Sequence, residues 1–222
     1  MTTDLIIRGR GDIPNERFLF VNGMMTPESW VNEIGDLISW LHGDVNVYCI
    51  ADLTKGFFRD LVECSQLTLG VQTEGSERVA RTVKNLLRQM EAETPGREHT
   101  IHVFCHSKGG LSMENAMELL NEDEKRQLDI KLVATPAVID PDSVKSVHAY
   151  RGAEDPISFL SLERAGEMTT ETLPTIGEGF MERHILQHDI RRPTYVALLQ
   201  REGTAFLATH PVGTLPMDTP HA

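Results

Sequence analysis

Cysteine is scarce in this chain, with only Cys49, Cys64 and Cys105 among 222 residues. An odd, sparse set without C-x-x-C spacing argues against a disulfide framework and against a cysteine zinc site, and points to reduced thiols. Basic residues are outnumbered: 21 Lys and Arg stand against 33 Asp and Glu, a formal charge of −12. No run of lysine and arginine offers a stripe for phosphates, so nucleic acid is excluded as the expected partner. Apolar runs are all short, and none approaches the roughly 18 residues that a membrane-spanning helix needs. The opening Met1-Thr2-Thr3-Asp4 lacks the basic and apolar regions of a secretory signal. The expectation is therefore a cytoplasmic protein, with export by a non-cleaved signal left open. Also missing are H-E-x-x-H and G-x-x-x-x-G-K-[ST], the helical zinc and phosphate-loop motifs.

What remains is an ordinary globular composition, 40% hydrophobic and 24% charged. The length suits one domain. Residues 1–16 are expected to be an extension or edge strand, 17–205 the folded domain, and 206–222, rich in proline and threonine towards its end, a loose tail. Continuous apolar runs at 17–22, 45–50, 101–106, 130–134 and 144–150 read as buried strands. Between them, apolar residues recur at helical spacing. Trp30, Ile34, Leu37, Ile38 and Leu41 mark one helix, with Thr26 as its expected cap and Pro27 as its first residue. Val79, Val83, Leu86, Leu87 and Met90 mark a second, and a helix from Pro193 to Gln200 a third. Residues 51–73 and 156–187 give weaker signals. Strand and helix alternate, and that pattern predicts an α/β fold: a single three-layer domain with a mostly parallel central sheet.

One segment carries chemistry. Ile101-His102-Val103-Phe104-Cys105-His106 runs directly into Ser107-Lys108-Gly109-Gly110 and then into helix-forming residues. A serine on a tight turn between strand and helix projects its hydroxyl out of the sheet, as in the G-x-S-x-G nucleophile elbow. Here Cys105 occupies the place of the first glycine. A serine nucleophile needs a histidine to take its proton and an acid to orient that histidine. Asp155, in Gly152-Ala153-Glu154-Asp155-Pro156 after the strand at 144–150, is the expected acid, with Glu154 its neighbouring rival. Of the later histidines His184, His188, His210 and His221, His188 is favoured as the base, because it lies shortly before the helix opened by Pro193. An oxyanion hole needs two N–H donors; Lys108 supplies one, and Met24 in Asn22-Gly23-Met24-Met25 the other.

The bland alternatives are specific. Ser107 could merely cap a helix, Asp155 could be a turn residue before proline, His188 could lie on the surface, and Met24 could be core filler. His102 and His106 could suggest a metal, but they straddle a strand and a turn. Cys105 as nucleophile is disfavoured because it lies on the strand side of the turn. Phe57 and Phe58 divide evenly between core and acyl pocket, and the side chains of Lys55 and Lys108 are expected in solvent.

With these residues in view, the chain resembles the α/β-hydrolase superfamily, in a minimal form without a large lid. More narrowly, Val21-Asn22-Gly23-Met24, the stretch 56–64, Cys105-His106-Ser107 and the stretch 188–195 are similar to an uncharacterised hydrolase-like family of chlamydial bacteria. That narrower resemblance spans roughly residues 17–200. The superfamily implies ester, thioester or amide chemistry through an acyl-enzyme, on a small-molecule or lipid acyl substrate, without a cofactor. The narrower family keeps the Cys105 position but adds little about substrate. An acyl acceptor other than water would make the same site a transferase, and an amine leaving group an amidase or peptidase. A non-catalytic binding or effector protein on the same scaffold is the competing function. Only 32 residues separate Asp155 from His188, so an open, shallow site is expected. The protein partner and the oligomeric state stay open.

Overall fold

The computed structural model describes residues 5–23, 26–51, 64–153, 170–174, 189–191 and 193–210. Among these residues, seven strands form one sheet: β1 (Leu5–Arg8), β2 (Glu16–Val21), β3 (Val47–Ile50), β4 (Thr100–His106), β5 (Leu128–Val133), β6 (Ser146–Gly152) and β7 (Thr170–Leu173). Their spatial order is β1-β3-β2-β4-β5-β6-β7. Only β1 runs antiparallel to its neighbour, with Leu5 opposite Ile50; every other pair is parallel. The fold is α/β with a mostly parallel sheet.

Side chains alternate across the sheet because successive Cβ atoms point to opposite faces. On one face, Leu19, Val21, Ile101, Val103, Cys105 and Ile130 pack beneath α2 (Glu74–Glu93) and α3 (Lys108–Ala116). On the other, Phe18, Phe20, Cys49 and Phe104 pack beneath α1 (Glu28–Leu41) and α5 (Pro193–Thr209). A short helix, α4 (Glu122–Lys125), leads into β5. Hence the three layers. α2 starts at a capping box in which the Thr73 and Ser76 side chains accept from each other's backbone N–H. Among the described residues, β1 and β7 are the edge strands, each with a single neighbour.

Several boundaries differ from the sequence reading. Thr26 does not cap α1: its hydroxyl donates to the Gly23 carbonyl at 2.9 Å, and Pro27 is the residue that precedes the helix. The last helix continues from Gln200 through Thr209 and buries Phe206, so 206–209 belong to α5 rather than to a loose tail. β7 had no clear sequence signal, since Thr170-Glu171-Thr172 is polar and half-exposed at the edge of the sheet. Cys49, Cys64 and Cys105 form no disulfide. Among the described residues, no helix is long and apolar enough to cross a membrane.

Candidate functional site

The chain leaves β2 for β3 on one side, then returns through α2 to β4 on the other side of β2. The strand order therefore reverses between β2 and β4, where Val21 lies opposite Cys105. In an open parallel sheet this reversal opens a crevice beyond the carboxyl ends of the strands, the usual place for a ligand. Two segments enter it: Asn22-Gly23 after β2, and Ser107 after β4.

Ser107 has φ 54° and ψ −126°, a conformation that side-chain-bearing residues rarely adopt. Strain of this kind costs about 1–3 kcal/mol and persists only where surrounding structure enforces it. The enforcement is visible. The Ser107 amide donates to the Val133 carbonyl at 3.1 Å, and its carbonyl accepts from Gly110 at 3.0 Å. Ala134, at the carboxyl end of neighbouring β5, is a second residue at positive φ, 50°. Ser107 stands at the start of α3 but its side chain makes no capping hydrogen bond there, so the bland role of a helix cap does not account for it.

Three glycines make the turn possible. A Cβ on Gly109 would lie 2.3 Å from the Val21 carbonyl oxygen, and one on Gly110 would lie 2.3 Å from the Thr135 hydroxyl. A Cβ on Gly23 would come 2.8 Å from the Cβ of Ser107 and 3.2 Å from Nδ1 of His106. α3 thus starts directly beneath the carboxyl end of β2. Lys108 opens that helix, so its amide belongs to those that helix geometry leaves outside the intrahelical ladder. Its side chain corrects the sequence expectation: Lys108 is only 4% exposed, because this first helical turn is tucked under the strand ends.

Cys105 lies wholly within the core on the α2 side, and burial pushes its thiol well above the usual range. A thiol held protonated is no nucleophile. His106 is 8% exposed and borders Gly23. Among the described residues no three His, Cys, Asp or Glu side chains gather as a metal site.

Of the other candidates, Met24, Glu154, Asp155, His184, His188 and His221, with Lys55, Phe57 and Phe58, lie outside the described residues. Their flanks are described. Tyr195 on α5 accepts a hydrogen bond from the Gly152 amide at 2.9 Å, and the Ala153 amide donates to Leu173 at 3.0 Å. These bonds tie down the end of β6 just before Asp155. After His188, Asp189 pairs with Arg191 at 2.7 Å, and the Arg191 guanidinium lies 3.4 Å over the ring of Trp30 on α1. Burial acts to raise the Asp189 carboxyl, but Arg191, with a smaller contribution from the charge of His106, holds it below the ordinary value. Ile190 between them is buried in the α1/α5 core. Residues 189–191, which follow His188 in the chain, are thus anchored to the α1/α5 face of the sheet.

No protein-family model matches the chain, and no curated protein matches it. Among solved structures it is similar to a cutinase. That structure is a Trichoderma reesei cutinase in complex with a C11Y4 phosphonate inhibitor, 14% identical, with a TM-score of 0.47, covering 90% of this chain and 78% of the cutinase chain.

The sequence reading passed over a second polar group. His102 is set between two carboxylates, with Nδ1 2.8 Å from Asp129 and Nε2 3.0 Å from Glu16. Asp129 also accepts from Lys131 and Ser146, and Glu16 from His210 at 3.0 Å. Burial opposes the charge on His102, yet the two carboxylate hydrogen bonds raise its pKa. The available signal was polar residues at alternate positions of otherwise apolar strands: Glu16 before Phe18, His102 before Phe104, and Asp129 with Lys131. His210 belongs to this group rather than to a loose terminus.

Proposed function

We propose that the protein is a serine hydrolase that cleaves an ester or thioester through an acyl-enzyme. The observation that carries the reading is the strained Ser107 turn at the sheet's reversal point, its side chain not engaged in capping the helix it precedes. Ser107 Oγ attacks the acyl carbonyl while His188 takes its proton, and the amides of Lys108 and Met24 receive the oxyanion. Asp155 orients His188 and stabilises the imidazolium. His188 then returns the proton to the leaving group, and water releases the acyl group by the same steps.

The order of parts supports this assignment. In the α/β-hydrolase arrangement the second oxyanion amide comes from the loop between a central strand and its helix, and the chain order is serine, acid, histidine. Here the β2–α1 loop begins at Gly23, which lies against Ser107 and precedes Met24 in the sequence. Thr26 braces it by its bond to Gly23 across Met24 and Met25. Asp155 follows β6, and His188 follows β7. A small-molecule or lipid acyl group is the expected substrate.

A fluorophosphonate probe tests the proposal. Folded protein is expected to be labelled at Ser107, with labelling abolished in Ser107→Ala and slowed at least 100-fold in His188→Ala. Absence of labelling, or labelling unchanged in Ser107→Ala, overturns the assignment and favours a binding protein on the same scaffold.

A further inference from the structure

The group around His102 borders a cavity of about 330 Å³ between the sheet and the second half of α5. This size falls within the roughly 300–1,000 Å³ of small-ligand pockets. The cavity lies away from the proposed nucleophile: His102 precedes Ser107 by five strand positions, ~16 Å along β4 at the usual rise. It also lies towards the amino ends of the parallel strands, opposite the edge where an open sheet ordinarily takes its ligand.

Its walls divide by chemistry. One side is aromatic. Phe18 stacks on His102 at 4.7 Å, Phe206 meets Phe18 edge-on at 5.1 Å, and Phe104 meets His42 at 5.6 Å. His42 is uncharged near neutral pH, because burial lowers its pKa to about 4. The other side is ionic, and counting donors shows what it lacks. The carboxylates are already matched: Glu16 by His102 and His210, Asp129 by His102, Lys131 and Ser146, and Glu202 by Tyr150 at 3.2 Å.

The lysines are not matched in this way. An ammonium carries three N–H donors. Lys131, 8% exposed, donates only to Asp129; Lys145 donates to Glu98 at 2.7 Å and to Thr100 at 2.8 Å. Two N–H groups on Lys131 and one on Lys145 therefore remain, and both side chains line the cavity. The Lys131 donors are buried, and buried donors without acceptors are costly, whereas Lys145, its side chain 39% exposed, stands at the rim within reach of water. The missing complement is an acceptor, and an anionic one gives the strongest bonds to an ammonium. Of the two lysines only Lys131 has more than one N–H without an acceptor, so the cavity suits a single negative charge better than a polyanion.

We propose that this cavity is a second, separate binding site for a small monocarboxylate with a planar apolar body, its carboxylate held by Lys131 and Lys145 and its body against Phe104 and Phe206.

Benzoate is the probe, with benzamide as its neutral counterpart, in calorimetric titrations supported by amide NMR shifts. Benzoate is expected to bind saturably, shifting amides around Thr100, Ser146 and Phe206, while benzamide binds at least tenfold more weakly. Lys131→Met and Lys145→Gln should each weaken benzoate at least tenfold. Lys145→Gln should leave fluorophosphonate labelling unchanged, and Ser107→Ala should leave benzoate affinity unchanged, so this site and the serine site can fail separately. If Lys131→Met does not fold, Lys145→Gln decides. Absence of saturable binding, equal binding of benzamide, unaltered affinity in Lys145→Gln, or shifts centred on the Ser107 turn overturns the proposal.

Discussion

Gly23 and Ser107 are in backbone-to-side-chain contact across the sheet's reversal point, so close that a Cβ on Gly23 would lie 2.8 Å from that of Ser107. The atom in the way belongs to a strained turn whose neighbours cannot recede. Gly23→Ala is therefore expected to displace Ser107 while the sheet survives. Fluorophosphonate labelling should slow by about 100-fold, the scale on which displacement of about 1 Å disturbs a reacting geometry. Labelling rate and circular dichroism on the same sample check it; an unchanged rate would show that the turn tolerates the methyl.

Ser107→Gly separates strain from chemistry. Glycine reaches positive φ without a steric penalty, so the variant should be more stable than the native chain by about 1 kcal/mol, the lower end of the cost of such strain. Labelling should vanish. Urea denaturation measures the first outcome, and destabilisation would mean that the Ser107 side chain contributes more by its contacts than the turn costs.

Tyr195→Phe removes the acceptor for the Gly152 amide. A buried N–H left without a partner costs about 1–3 kcal/mol. Because Gly152 lies three residues before Asp155, the loss should also loosen the proposed acid. A lower Tm together with a fall in labelling rate of roughly tenfold is expected, whereas His188→Ala should lower the rate with little change in Tm.

His42 and His102, both on the α1/α5 face, should give opposite pH limbs. His42 has its pKa lowered from 6.5 to about 4, so its neutral form is favoured in the folded state. Its contribution is present above the unfolded value and declines as pH falls from 6.5 towards 4. His102 has a raised pKa. Its contribution is complete below the unfolded value of about 6.5 and is lost as pH rises through the folded value. Glu16 and Asp129, both lowered, add stability above their unfolded pKa values that is lost at lower pH. Denaturation across pH 4–9 should show His42→Gln flattening the limb between 4 and 6.5, and His102→Gln flattening the limb above 6.5. Unaltered pH profiles in both variants would contradict these assignments.

Much of this molecule could be read from local pattern. Apolar runs bounded by turn residues located β2 through β6, because strands buried on both faces have little freedom in composition. Ser107 stood out since few contexts place a serine between an apolar strand and two glycines. The edges were harder to read. β7 owes its extended form to pairing with β6 and carries too few apolar residues to announce itself. Thr26 had the composition of a helix cap, but the Gly23 carbonyl lies within its reach and takes its proton.

The sequence alone determined the α/β alternation, the candidate nucleophile and the glycines around it, for these depend on periodicity and on steric rules acting over a few residues. Only the tertiary structure decided that Gly23 is the glycine against Ser107, that Lys108 is buried, and that Glu16, His102, Asp129, Lys131 and His210 form one ionic group. Those relations join residues as far apart as Glu16 and His210. Parallel strands bring such residues together through long crossovers, and no local pattern records which of them become neighbours.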